Sequence, residues 1–214
     1  MQQILVYGDS LSWGIIPGTR ERFDFDQRWP GVMERELVTS GRPVRVMEDC
    51  LSGRRTVWDD PFKAGRNGLV GIEQRIEVHS PLALIILLLG TNDFQAVHQY
   101  NAWQSAQGVA TLIAAIRRAP IEPGMSIPPI LIVAPPPPLT AKGTLAPKFA
   151  GAEHKAVGLN KELRQVAAEL ECGFFDAGTV SATSRVDGVH LDEDQQLALG
   201  RAVAEKVITM LPED

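Results

Sequence analysis

Four short stretches hold the residue types that acyl chemistry requires. Residues 4–14, ILVYGDSLSWG, end an apolar run in Gly8-Asp9-Ser10, so the tip of a strand presents a hydroxyl. Taken alone, Ser10 is most simply a helix N-cap. Taken as a nucleophile, its backbone N–H and the following helix start face a developing anion, and Gly8 lets backbone approach closely. A serine nucleophile needs a base, and the chain has 4 histidines. His79 precedes Ser80-Pro81 at a helix end. His98 and His154 lie in polar loops or at helix starts, where no fixed carboxylate accompanies them. His190, in RVDGVHLDEDQ (185–195), has Asp187 three residues upstream with Gly188 between them. A turn of that length can fold the carboxylate onto the imidazole, which fixes the tautomer and stabilises the imidazolium formed during attack. A turn followed by an N-cap for the last helix is the competing reading. Asp192 can supply that cap by itself, which leaves Asp187 and His190 unexplained.

The other two stretches offer hydrogen-bond donors. In LLLGTNDF (87–94) a buried strand ends at Gly90 and Asn92 emerges beside Ser10, its side-chain NH2 free to donate. In CLSGRRT (50–56) Gly53 offers a backbone N–H with no side chain in the way. The Ser10 and Gly53 amides and the Asn92 side chain are expected to converge on one oxygen. Loss of one such donor typically costs ~10²–10³ in rate. The serine does not sit in a G-x-S-x-G elbow, so the usual α/β-hydrolase assignment does not follow.

These residues need a scaffold. Apolar strand-like runs at 2–7, 44–49, 82–90, 129–134 and 173–177 alternate with helical periods at about 27–39, 69–79, 101–118, 153–171 and 193–210. The run Leu82–Gly90 is apolar on both faces, as at the centre of a covered parallel sheet. In 101–118 the apolar stripe is read as Trp103, Ala106, Val109, Ala110, Ile113 and Ile116. The alternation predicts one three-layer α/β domain with a parallel sheet and right-handed crossovers, without a linker, over residues 1–214. Three loops, roughly 14–27, 50–68 and 135–152, are too long for plain connections. All three sit at the carboxyl ends of strands, where ligands bind in open parallel sheets. The last begins with Pro135 to Pro138, a stiff extended segment.

Composition narrows the function further. The chain has 214 residues, 44% hydrophobic and 22% charged, with a net charge of −5 that argues against nucleic acid or an anionic membrane as partner. The longest apolar run, Leu82–Leu89, falls short of the ~18 residues of a membrane span. No basic region or separate apolar segment opens the chain, so a signal peptide is not expected and the cytoplasm is the expected compartment. Cys50 and Cys172 match no metal or redox spacing and read as reduced and structural, with a disulfide between them left open. A nucleotide-binding module is disfavoured because no Gly-rich phosphate loop follows the first strand.

The four stretches, in this order, resemble the SGNH hydrolases, also called the GDSL esterase family: GDSLS with Ser10, SG with Gly53, GTND with Asn92, and DGVH with Asp187 and His190. The resemblance implies a flavodoxin-like α/β/α sandwich, a Ser10-His190-Asp187 mechanism, and neither metal nor cofactor. GDSLSWG, SGRRT, DDP (59–61), RNG (66–68) and PPP further resemble the bacterial arylesterase/acyltransferase subgroup. That likeness implies small aryl and alkyl ester substrates, acyl transfer to alcohols or hydrogen peroxide, and an octamer whose loops narrow the site. Some acyltransferase members have a second Trp after the Trp-Gly pair, where this chain has Ile15. Asp9, Trp13, Ile15, Trp58 and Phe149 are the expected substrate-binding residues. Sugar deacetylation, or thioester or lysophospholipid hydrolysis, is the alternative within the family.

Overall fold

A computed structural model describes residues 1–211. The elements run β1 (Gln2–Gly8), α1 (Ser10–Trp13), α2 (Trp29–Thr39), β2 (Val44–Cys50), α3 (Ile72–His79), β3 (Leu84–Leu88), α4 (Ala102–Arg118), β4 (Ile130–Ala134), α5 (Ala152–Lys155), α6 (Leu159–Glu169), β5 (Gly173–Asp176) and α7 (Glu193–Ile208). All five strands are parallel, in the order β2-β1-β3-β4-β5. The direction of strand addition reverses between β1 and β3. The helices that follow these two strands leave in opposite directions, and the crevice opens there.

Period-two alternation splits each central strand between two cores. Leu5 and Tyr7 of β1 and Ile85 and Leu87 of β3 pack with Ile72, Val109, Ile113 and Leu163 from α3, α4 and α6. Ile4 and Val6 of β1 and Ile86 and Leu88 of β3 pack with Trp29, Met33, Leu199 and Val203 from α2 and α7. Every residue of β3 is buried, which accounts for its unbroken apolar sequence.

The structure departs from the sequence expectations in several places. The helix expected over 153–171 is two helices, because Gly158 adopts φ +88° and breaks the ladder between α5 and α6. The helix expected from residue 69 starts at Ile72, after Gly71 at φ +78°. Trp103 is 58% exposed rather than part of the buried stripe of α4. Ala102, Ser105 and Ala106 line the inner face at that end instead. Asp192 precedes α7, but its side chain makes no cap bond; Oδ1 instead accepts from Ser184 Oγ at 2.8 Å. Cys50 and Cys172 are free thiols. Among the described residues, no helix is long and apolar enough to cross a membrane.

Candidate active site

The first strand ends in a one-turn helix whose cap is Asp9, not Ser10. The Asp9 side chain accepts from the Leu11 amide at 2.9 Å, and Gly14 closes the turn at φ +83°. Gly8 is required by contact: a Cβ there would lie 2.5 Å from Ser12 Oγ. Ser10 is thus the first residue of a turn wedged against the strand end. Its Oγ lies 3.1 Å from His190 Nε2, and His190 Nδ1 lies 2.7 Å from Asp187 Oδ2.

The loop before α7 folds to make this possible. Asp187 Oδ1 accepts from the amides of Val189 and His190, each at 2.9 Å, and Oδ2 also accepts from the Gly18 amide at 3.2 Å. Gly188 lies at φ +81°, and a Cβ there would sit 2.6 Å from the Thr140 carbonyl, so only glycine fits the turn. The Leu139 and Lys142 amides donate to the Gly188 and Asp187 carbonyls at 2.9 Å each, strapping the 135–152 loop onto it. Burial acts to raise the Asp187 carboxyl, but the His190 hydrogen bond and charge and the two amides outweigh it and hold it well below the usual carboxylate range. Since Asp187 stays ionised, Nδ1 of His190 must be the donor. Nε2 of the neutral ring is then the acceptor for the Ser10 hydroxyl.

Asn92 stands on a 3-10 turn (Thr91–Phe94) after β3. Its Nδ2 donates to Asp9 Oδ2 at 2.9 Å, and its Oδ1 accepts from Gln95 Nε2 at 2.7 Å. Gln95 Oε1 in turn accepts from Arg55 Nη2 at 2.6 Å. Arg55 can only donate, so the direction of the whole chain follows from it: Gln95 must turn its oxygen to Arg55 and its nitrogen to Asn92. The second Nδ2 hydrogen of Asn92 is then left for the cavity. Arg55 is fully buried, is 3.2 Å from Asp60, and donates to the Asp59 and Asn92 carbonyls. Burial pushes the Asp9 carboxyl up to about 6, against the Leu11 amide, the charge of His190 and the Asn92 bond. Burial likewise raises Asp93 to about 6, although Ser105 and Thr56 donate to it.

Ser10, Gly53, Asn92, Asp187 and His190 line one cavity of about 400 Å³, together with Ile15 and Phe149. Gly53 sits at φ +86° in the turn after β2. Of the other expected substrate contacts, Asp9 is buried behind Asn92 and does not line the cavity. Trp13 lies under the Arg22 guanidinium, 4.7 Å from its ring centroid, and Trp58 stacks on Tyr100 at 4.0 Å; neither lines the cavity. A smaller cavity of about 250 Å³, lined by Thr91, Phe94 and Pro135–Pro138, contains none of Ser10, Asp187 and His190. Gln95 and Arg55 carry no local sequence signal for this role. Arg55 lay within the quoted CLSGRRT stretch, but its bond to Gln95 spans 40 residues.

The arrangement, a hydroxyl, an imidazole and a carboxylate in series at the switch point of a parallel sheet, has the groups that acyl transfer needs. The sequence profile of the GDSL-like lipase/acylhydrolase family matches residues 6–199, and the chain belongs to that family, as an esterase or acylhydrolase with the SGNH fold. Solved structures agree over the whole length. The native aryl esterase of M. smegmatis is 35% identical, with a TM-score of 0.92 over 99% of this chain and 100% of that one. Est24, a carbohydrate acetylesterase from Sinorhizobium meliloti, is 31% identical, with a TM-score of 0.92 over 99% and 100%. A carbohydrate acetylesterase family member from the same organism is 36% identical, with a TM-score of 0.92 over 99% of each chain. No curated protein matches the sequence.

Proposed function

We propose that this chain is a serine esterase, a single hydrolase domain over residues 1–214, acting on small aryl and alkyl esters of short-chain acids. The observation that carries the reading is the hydrogen-bonded series Ser10-His190-Asp187 in one cavity with Gly53 and Asn92. Ser10 attacks the ester carbonyl while His190 Nε2 takes its proton. The tetrahedral oxyanion rests on the Ser10 and Gly53 amides and the Asn92 side chain. His190 then protonates the leaving alcohol, and the acyl group stays on Ser10 Oγ. Water, an alcohol or hydrogen peroxide, deprotonated by the same histidine, takes the acyl group and frees the serine.

A cavity of about 400 Å³ walled by buried Phe149 suits acetyl and other short acyl groups. Deacetylation of sugars is the second reading. It draws on the carbohydrate acetylesterase titles at 31% and 36% identity and on the polar residues Thr19, Asp60 and Thr144 at the cavity. We further infer a homo-oligomer, an octamer by resemblance, with exposed Phe62 and Trp103 as apolar surface available for burial.

The test is turnover of p-nitrophenyl esters of increasing acyl length, set beside acetylated sugars, with light scattering on the same sample. Short-chain aryl esters outrunning both long-chain esters and sugar acetates, on an oligomer, support the reading. A monomer that prefers long chains would overturn it.

A further inference from the structure

We propose that this cavity selects esters carrying an anionic group, and that Arg20, Lys63, Lys142 and Lys148 draw that group in. The inference rests on the esterase reading above and names the substrate class within it.

The protein has a net charge of −5, yet four cationic side chains line the cavity that holds Ser10 and His190. The two carboxylates that also line it are already engaged. Asp60 lies 3.2 Å from buried Arg55, and Asp187 lies 2.7 Å from His190 Nδ1. Among the described residues, none of the four cations forms an ion pair with a carboxylate. Cationic side chains therefore outnumber carboxylates in this lining, on a chain that is acidic as a whole.

The four come from three separate loops, so no single helix or charge run accounts for them. Arg20 lies two residues after Gly18, whose amide donates to Asp187. Lys63 belongs to the 50–68 loop. Lys142 and Lys148 belong to the 135–152 loop, where Lys142 Nζ is pinned by the Arg185 carbonyl at 2.9 Å. Lys148 Nζ lies 5.9 Å from the Phe149 ring centroid, on the cavity wall. Burial pushes the Lys148 ammonium down; Asp60 opposes this, and Arg55, Lys63 and Arg20 push it down further. These cations repel one another across the cavity, and a bound anion relieves that repulsion. A cleft of one sign between low-dielectric walls also concentrates the opposite charge and speeds its capture. A carboxylate, sulfate or phosphate would serve, since three of the four groups are lysines, which act as compact point charges rather than shaped forks.

The experiment compares kcat/KM for 4-acetoxybenzoate, its neutral methyl ester and 4-(trimethylammonio)phenyl acetate, which share the acetyl group. Monophenyl succinate against phenyl butyrate places the anion on the acyl half instead. The expected result is a preference of about tenfold for the anionic member of at least one pair at low salt. That preference should shrink at ~0.5 M salt, where the Debye length is only a few ångströms. Lys63→Gln combined with Lys148→Gln should lower the anionic-to-neutral ratio towards one, while organophosphonate labelling of Ser10 reports an assembled site. Equal kcat/KM and equal salt dependence within both pairs, or a cationic ester that is preferred, would overturn the inference and leave the esterase reading standing. No turnover of any ester with Ser10 unlabelled would instead remove the esterase reading, and this inference with it.

Discussion

Asp187 and His190 are joined twice. Asp187 Oδ2 faces the ring at Nδ1, 2.7 Å away, while Oδ1 accepts from the backbone amide of the same histidine at 2.9 Å. One carboxylate thus sets both the position of the residue and the tautomer of its ring. Asp187→Asn separates these two tasks. The amide oxygen remains with the amides of Val189 and His190, and the new NH2 points at Nδ1 and gives up only the longer bond from the Gly18 amide. Nδ1 must then accept, the proton moves to Nε2, and His190 can no longer take the Ser10 proton. Turnover should fall by about 10⁴ with the fold retained, measured as kcat together with a denaturation midpoint. Wild-type turnover in this variant would remove Asp187 from the mechanism.

Gln95 is expected to act through Asn92. In Gln95→Glu the carboxylate still accepts from Arg55, but it presents an acceptor to Asn92 Oδ1. Asn92 then has an acceptor, the new carboxylate or Asp9, against its oxygen in either amide orientation, so its NH2 is no longer held at one place in the cavity. The expected loss is about 10²–10³ in kcat with KM little changed, as for a lost oxyanion donor. Asn92→Ala should produce a similar loss, and the double variant should lose little more than either alone. Additive losses, or an unchanged kcat in Gln95→Glu, would show that the Arg55-Gln95-Asn92 series does not orient the donor.

Two buried carboxyls, Asp9 and Asp93, should favour the fold as pH falls, opposed by His98, which burial pushes down. Asp9 and Asp93 are raised from 3.8 to about 6 when folded. The native state therefore holds more protons than the unfolded chain between about pH 4 and pH 6, and stability from these two groups rises as pH falls through that window. Asp187 works the other way. Its folded value is depressed, so its contribution is present above its ordinary 3.8 and is lost only as pH falls below that. The denaturation midpoint should be higher at pH 5 than at pH 7.5. Asp93→Asn should flatten the difference, since the Thr56 and Ser105 hydroxyls can turn to accept as well as donate. A wild-type midpoint that falls steadily from pH 7.5 to pH 5 contradicts this.

Phe149 is 3% exposed and walls the cavity beside Ser10. Phe149→Ala should enlarge the space for the acyl group and shift the p-nitrophenyl ester preference to longer chains. Removing the buried ring should also cost about 3–5 kcal/mol of stability. An unchanged chain-length profile in the folded variant would place the acyl group elsewhere in the cavity.

Local chemistry in the sequence determined much of this protein. Unbroken apolar runs marked the buried strands, because a sheet covered on both faces leaves no polar positions. Glycines marked turns for the same kind of local reason. Gly188 between Asp187 and His190 announced a tight loop, and Gly158 carried the signal for the break between α5 and α6, although the helical period on either side concealed it. The order of Ser10, Gly53, Asn92 and Asp187-His190 was legible because each sits in a short stretch at a strand end or loop. The helical period also misplaced Trp103, since two residues beside it, Ala102 and Ser105, supply the inner face of α4.

What depended on tertiary structure was every relation that spans the sheet. The 3.1 Å approach of Ser10 Oγ to His190 Nε2 joins residues 180 apart, and Arg55 reaches Gln95 across 40. No local propensity encodes such pairs; they exist because the parallel strands all deliver their following loops to one edge of the sheet, where the loops after β1, β2 and β3 meet the loop before α7. The same geometry decided that Asp9 orients Asn92 from behind, across 83 residues. It also gathered Arg20, Lys63, Lys142 and Lys148 from three loops around one cavity. In the sequence they are four scattered cations on an acidic chain. Only folding brings them close enough for their fields to add.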